Sequence, residues 1–146
     1  MGNKKMIQMT NNNISVVAVD GFIPFGNITR RIDCGNCCPA FIVSSSNTDT
    51  ITINEEGYYK ITYSITDLAT DVGLNTITLV VNGVDTYTVG ETVGVAGDAV
   101  NLTLPYVVRV FKKCDNMETN NPMTIQVRAD NAITSATANI IVEKIY

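Results

Sequence analysis

The densest group of reactive side chains in the sequence is the stretch CGNCC, which contains Cys34, Cys37 and Cys38; Cys114 lies far along the chain. A Cys-x-x-Cys pair has the spacing of zinc ligands, and the other two thiols could complete a site. A thioredoxin-like redox role is disfavoured, because Pro39 and a predicted strand follow the motif instead of a helix. Incidental cysteines or late disulfides rank above a metal. We therefore predict no metal and no cofactor.

The residues that usually carry catalysis are missing or scattered. The chain contains no histidine, which removes the commonest general base and every Ser-His or Cys-His arrangement. Its 14 acidic residues fall almost all in predicted turns, where a solvated carboxylate is a simpler interpretation than a glycosidase pair. The stretch GETVGVAG lacks the Lys-Ser/Thr and the helix of a phosphate loop. We predict that the protein is not an enzyme.

Composition limits the partners. A length of 146 residues suits one domain, and a net charge of −4 with ten Lys and Arg gives no basic stripe for nucleic acid. The longest apolar runs are far shorter than the roughly 20 residues of a membrane helix, and the first residues do not form a signal peptide. We expect neither nucleic acid nor a membrane as partner, and folding in a cytoplasm.

Period-two alternation of apolar residues recurs along the chain, whereas a helical period is absent, so we predict an all-β protein. In VVNGVDTYTV, Asn82 and Gly83 predict a type I′ hairpin. Residues 1–13 are interpreted as a polar arm that a partner would order, and residues 14–146 as the domain. Strands are predicted near Ile14–Val19, Asn27–Ile32, Ala40–Val43, Thr50–Ile53, Tyr58–Asp67, Asn75–Val81, Val84–Val89, Ala99–Phe111, Met123–Ala129 and Thr137–Ile145.

Some strands are apolar on both faces. Ile140, Ile141 and Val142 are consecutive, and so are Val107 and Val108. One face can enter the core, and the economical cover for the other is a second copy of the chain; burial of central strands under a long loop is the alternative. Alternation does not say which of Ile140 and Ile141 faces inward. The candidate residues of a subunit interface are Tyr58, Tyr63, Tyr106, Val108, Ile140 and Ile141.

The run ITINEEGYYKITYSI, the later NTITLVVNGV and the ending ATANIIVEKIY together resemble the tumour-necrosis-factor-like jelly roll of complement globular heads. They are similar also to C-terminal domains of collagen-like spore-surface proteins of bacilli. The resemblance spans about Ile14 to Tyr146 and implies a single β-sandwich of two antiparallel sheets. It also implies a homotrimer whose inner sheets face the threefold axis.

A narrower resemblance concerns NNNISVVAVDGFIPFGNITRRIDCG and NNPMTIQVRADNAITSATANIIVEKIY, which look like small structural proteins of bacteriophages of gut bacteria. It implies a head decoration or head-fibre protein that docks on other capsid proteins, with Gly21 and Pro24 shaping a turn before the strand of Arg30 and Arg31. The polar arm is the docking candidate. The expected location is the virion.

The alternative is a carbohydrate- or receptor-binding surface module, in which Tyr58, Tyr87 and Tyr106 would contact glycans. A glycan array separates this function from the structural one.

Overall fold

The computed structural model describes residues 4–33, 39–69, 72–111 and 122–146, without the side chains of Asp67 and Ala69. These parts of the chain contain strands and no helix, so no described segment is a helix that could span a membrane. The predicted all-β class is confirmed. The ten strands are β1 (Met6–Ile14), β2 (Asn27–Ile32), β3 (Phe41–Ile42), β4 (Ile51–Ile53), β5 (Gly57–Ala69), β6 (Gly73–Val81), β7 (Val84–Val93), β8 (Ala99–Val110), β9 (Met123–Ala129) and β10 (Ser135–Lys144).

The strands form two antiparallel sheets of five strands each. Sheet I has the order β2-β1-β10-β5-β8, and sheet II has the order β3-β4-β9-β6-β7. The last strand, β10, therefore returns to the middle of sheet I between β1 and β5. The long strands β5 and β8 are paired from Gly57 with Val110 to Ala69 with Ala99.

The core fills the space between the two sheets. Alternate residues of the long strands β8, β9 and β10 point into it, as in Met123–Ala129, where every second side chain is buried. Sheet I contributes Ile7, Ile61 and Val142, and sheet II contributes Leu79; all four are fully buried. Because the inward sets of both sheets are aliphatic or aromatic, one continuous core holds them together.

The Asn82-Gly83 hairpin is confirmed. Both residues have positive φ, 50° and 77°, as a type I′ turn requires. Asn82 Oδ1 also accepts a hydrogen bond from the Thr124 amide at 2.8 Å, which ties the hairpin to β9.

The sandwich has two poles, defined by where strands begin and end. At the hairpin pole, β6 turns into β7, β5 begins and β8 ends. At the loop pole, β5, β7 and β9 end while β6, β8 and β10 begin. The described connections at the loop pole are residues 15–26, 43–50, 94–98 and 130–134, together with Val72 before β6.

The prediction of a polar arm over residues 1–13 is wrong from Met6 onward. Met6–Ile14 is strand β1, hydrogen-bonded to β2 on one side and to β10 on the other. Ile7 and Met9 enter the core and supply the free energy that orders it. The predicted strand Ile14–Val19 is wrong as well: Ile14 ends β1, and Val17 makes an isolated bridge to Ile133.

Candidate subunit interface

Sheet I has one face toward the core and one face toward solvent, which we call the free face. The register across the sheet aligns its side chains in rows. One row runs through Gln8, Ile141, Thr62 and Pro105, because Gln8 pairs with Ile141, Ile141 with Thr62, and Thr62 with Pro105. These side chains alternate with the buried ones along each strand, so they lie on the free face.

The middle of the free face carries no ionisable side chain. We call this region the central patch and define it by Gln8 and Thr10 of β1, Asn139 and Ile141 of β10, Thr62 and Ser64 of β5, and Thr103 and Pro105 of β8. Charged residues surround it: Lys60 and Glu143 are one row nearer the hairpin pole, and Arg109 lies beyond them on β8. Arg30 lies beside Gln8 on the edge strand β2. A solvent-facing sheet normally carries charges, whereas the centre of a protein interface is depleted of them.

The central patch is held by its own hydrogen bonds. Asn139 Oδ1 accepts hydrogen bonds from Gln8 Nε2 at 2.9 Å and from Thr10 Oγ1 at 3.0 Å. The Thr66 and Thr137 hydroxyls are 2.6 Å apart in the next row. A shallow hollow of about 160 Å³ lies among these hydroxyl and amide groups. The groups are short and pre-ordered, so covering them costs little side-chain entropy.

Apolar side chains lie at the hairpin-pole end of the central patch and beside it. Met6 is almost buried on this face, Ile141 is half-buried, and Ile32 and Val107 remain 38% and 50% exposed. Together with Pro105, these side chains give the free face an apolar area next to its amide and hydroxyl groups. This is the composition of a surface that a second protein can cover.

The outer face of sheet II has the opposite character. Arg128 forms a bidentate ion pair with Asp85 at 2.7 and 2.9 Å and binds Asp130 through Nε at 2.9 Å. The Asp130 carboxylate also accepts hydrogen bonds from the Thr76 and Thr78 hydroxyls, each at 2.7 Å. Such a saturated, charged network is suited to water. The two faces therefore differ in chemistry, and the free face of sheet I is the one suited to assembly.

Three of the predicted interface residues belong to the subunit's own core, which corrects their assignment. Ile140 and Tyr63 are fully buried and Val108 is 6% exposed, so no area is left for a second copy. The Tyr63 ring packs edge-on against Phe25 with centroids 6.1 Å apart. Its hydroxyl has no hydrogen-bond partner among the described residues, and burial raises its pKa. The sequence left open which of Ile140 and Ile141 faces the core. In the structure Ile140 points inward and Ile141 points outward.

Tyr106 closes one side of the sandwich. It is half-buried on the inward side of β8, and its ring stacks on Tyr87 of β7 with centroids 5.6 Å apart. The pair joins the edge strands of the two sheets, so the role that the structure gives Tyr106 lies within the subunit.

Tyr58 lies at the corner of the free face, where it lines an open recess of about 310 Å³ near the hairpin pole. The Arg109 guanidinium carbon lies 5.7 Å from the Tyr58 ring centroid and 5.5 Å from that of Phe111. Tyr146 meets Tyr58 edge-on at 5.9 Å, and Lys144 lines the same recess. Aromatic rings beside cationic groups could bind a sugar that carries a carboxylate.

A buried ion cluster lies beside this recess. Lys5 is buried, and its Nζ donates to Glu55 Oε1 at 2.6 Å, while Lys144 Nζ donates to Glu55 Oε2 at 3.3 Å. Burial raises the pKa of Glu55, but hydrogen bonds from the two lysines and their charges outweigh it and leave that pKa below its ordinary value. The cluster neutralises Lys5 and anchors the chain just before β1.

The four cysteines lie outside the described residues. The predictions about a metal site or disulfides therefore concern residues outside the described part of the chain. Within the described parts of the chain, no group of three acidic or other metal-ligating side chains could hold an ion. The residues that sequence reasoning missed are Gln8 and Thr10 of the central patch, since β1 was interpreted as an arm. The alternation of Ile7 and Met9 with polar residues was the available signal.

No protein-family model matches the chain, and no curated protein matches its sequence. Solved structures do match over nearly the whole length. The PRD1 vertex protein P5 superposes with a TM-score of 0.63 at 12% identity and covers 100% of both chains. The globular domain of zebrafish complement 1qA protein gives 0.66 at 10% identity over 98% of each chain. Eiger TNF from S. frugiperda gives 0.70 at 8% identity, over 98% of this chain and 92% of its own.

The fold is a tumour-necrosis-factor-like jelly roll. Identities of 8 to 12% establish the fold and carry no residue-level function.

Proposed function

We propose that the chain is a non-enzymatic structural protein of a bacteriophage virion, a head decoration or head-fibre component that assembles as a homotrimer through the free face of sheet I. The observation that carries the proposal is the uncharged central patch with its apolar flank, on a domain whose opposite face carries an ion network. A head-to-tail contact, in which one part of this face meets a different part of the next copy and which closes after three copies, would cover the face in every subunit.

The virion role has separate support. The solved chain of the PRD1 vertex protein P5 shares the fold, and the match covers 100% of both chains. A structural role also needs no catalytic constellation, in agreement with the absence of histidine. The expected partners are the other copies of the chain and the capsid proteins beneath them.

Mass spectrometry of purified virions tests the virion role directly. We expect the chain among the structural proteins, in a ratio to the major capsid protein that stays constant through a density gradient. Its absence from purified particles that were kept at low salt and that retain their other structural proteins would contradict the proposal.

A second function, binding of acidic carbohydrate, is favoured by the recess at Tyr58, Arg109 and Tyr146. A glycan array that includes uronic and sialic acids tests it. If the recess binds sugar, Tyr58→Ala abolishes the signal and Tyr87→Ala preserves it; the two rings are equally exposed, at 41% and 40%. Binding that survives Tyr58→Ala would remove this candidate.

A further inference from the structure

The loop pole carries a set of exposed aliphatic side chains that the proposed trimer contact does not use. They come from three separate connections and the start of β6, and each is more than half exposed. The set comprises Val16, Val19, Val72, Leu74 and Val95. Loops that simply face water are rich in polar residues, so repeated aliphatic residues at one pole indicate a surface that another protein covers.

Hydrogen bonds tie these connections together. Val17 and Ile133 exchange backbone hydrogen bonds of 2.9 Å in both directions. Asn131 Nδ2 donates to the Leu74 carbonyl at 3.3 Å, and its Oδ1 accepts from the Thr76 amide at 3.0 Å. The connection 15–26, which carries Val16 and Val19, and the start of β6, which carries Leu74, are therefore both hydrogen-bonded to residues 130–134. A pre-ordered surface loses less entropy when a partner binds.

The charge at this pole has one sign. Asp20, Glu91 and Asp98 are exposed there, and the described connections contain no lysine or arginine. Among the described basic side chains, the one nearest this pole along its strand is Arg128, and Asp85 and Asp130 both bind it. A partner that meets acidic groups around aliphatic ones gains most if its own surface carries lysine and arginine.

We propose that the loop pole is the face by which the protein docks on a basic surface of the capsid shell. This inference rests on the proposed virion role. It replaces the N-terminal arm, which was the docking candidate from sequence but belongs to sheet I. Docking would place the strands roughly along the line from the capsid to the exterior, with the hairpin pole and its aromatic recess outward.

The chain offers a matched pair of variants for the test. Val95 at the loop pole is 64% exposed, and Val84 at the hairpin pole is 65% exposed. Val95→Lys and Val84→Lys therefore add the same charge and remove the same exposed side chain at opposite poles. Both should keep the melting temperature of the unmodified protein, because neither side chain is in the core.

The assay is rebinding of purified protein to particles of its own phage that have been stripped of it by salt. We expect Val95→Lys to weaken binding at least about tenfold and Val84→Lys to change it less than about twofold. Binding of the unmodified protein should weaken steeply between about 0.05 and 0.5 M NaCl, because ions screen the acidic rim. Both results together support the loop pole as the docking face.

Equal binding of the two variants and the unmodified protein would overturn this inference and leave the virion role intact. A greater loss for Val84→Lys than for Val95→Lys would assign docking to the other pole. Binding that does not respond to salt would contradict a basic partner surface. Failure of the unmodified protein both to occur in virions and to rebind them is a different result, which overturns the virion role itself.

Discussion

Gly57 enters β5 at a point where a side chain has no room. Its φ is +148°, which L residues rarely adopt, and a Cβ there would overlap the Tyr146 carbonyl oxygen and the Lys144 side chain. Gly57→Ala should therefore lower the free energy of unfolding by roughly 1–3 kcal/mol, as measured by urea denaturation.

Gly94 supplies the control for that measurement. A Cβ at Gly94 would meet nothing within 4 Å, and the residue lies in an exposed loop. Gly94→Ala should change stability by less than about 0.5 kcal/mol. Equal losses of stability for Gly57→Ala and Gly94→Ala would show that neither the φ angle nor the close contacts at Gly57 make a side chain costly there.

The lowered pKa of Glu55 makes part of the stability depend on pH. A carboxyl whose pKa falls on folding adds stability above its unfolded pKa, and that stability is lost as pH falls through the folded pKa. Glu55→Gln leaves buried Lys5 without its anionic partner, so the variant should be less stable than the unmodified protein near pH 7. This difference in stability should shrink as pH falls through the folded-state pKa of Glu55, because the carboxyl is then neutral in both proteins.

Urea unfolding at several pH values measures the difference in stability between Glu55→Gln and the unmodified protein. Glu56→Gln is the neighbouring control, since Glu56 is exposed and forms no ion pair with Lys5. A difference for Glu55→Gln that stays constant from pH 7 to about pH 2 would mean that the ion cluster does not contribute in the proposed way.

Strand β1 is the element on which the free face depends, because it supplies Gln8 and Thr10 and separates β2 from β10. Ile7 is its fully buried anchor. Ile7→Asp would place a carboxylate in the core and should cost at least about 4 kcal/mol, enough to unfold a domain of this size. Circular dichroism and thermal melting measure the effect.

Asn12 lies on the same strand and is exposed. Asn12→Asp adds the same carboxylate at the surface and should leave the melting temperature nearly unchanged. If Ile7→Asp also melted normally, the first strand would be dispensable and the arm interpretation would be restored.

Element prediction from the sequence succeeded where alternation was strong and failed where it was weak. β2 and β9 were predicted to the residue, since Met123 to Ala129 alternate without a break. β1 was missed because Ile7 and Met9 are followed by three asparagines, which are typical of loops. Strand β1 forms because it pairs with β10, whose residues are about 130 positions away in the sequence.

Sequence alone also does not predict which face of a strand is buried. Period-two alternation separates Ile140 from Ile141 without saying which is buried, and that depends on the sheet packed against them. The central patch is harder still, because Thr62, Ser64 and Asn139 are the same residue types that face water elsewhere. What distinguishes them is the absence of charge over a contiguous area, which emerges once the register is known.

The whole molecule combines a free face with an uncharged central patch, an opposite face that carries an ion network, and two poles of different character. Burial of Ile141, Val107 and Ile32 in a subunit contact would contribute several kcal/mol at about 25 cal/mol per Å² of apolar area. A closed ring of three copies would cover the free face of each subunit and leave both poles accessible, so the proposed trimer contact and the proposed capsid docking would use separate surfaces.

Sedimentation velocity of the unmodified chain at micromolar concentration, with Ile141→Asp alongside it, measures whether three copies assemble through the free face of sheet I. We expect a species with the mass of three chains for the unmodified chain. We expect a folded monomer for Ile141→Asp, because the side chain of residue 141 points away from the core. Ile140→Asp should fail to fold, since Ile140 is fully buried. A clean monomer for the unmodified chain, or a trimer that Ile141→Asp leaves intact, would contradict assembly through the free face.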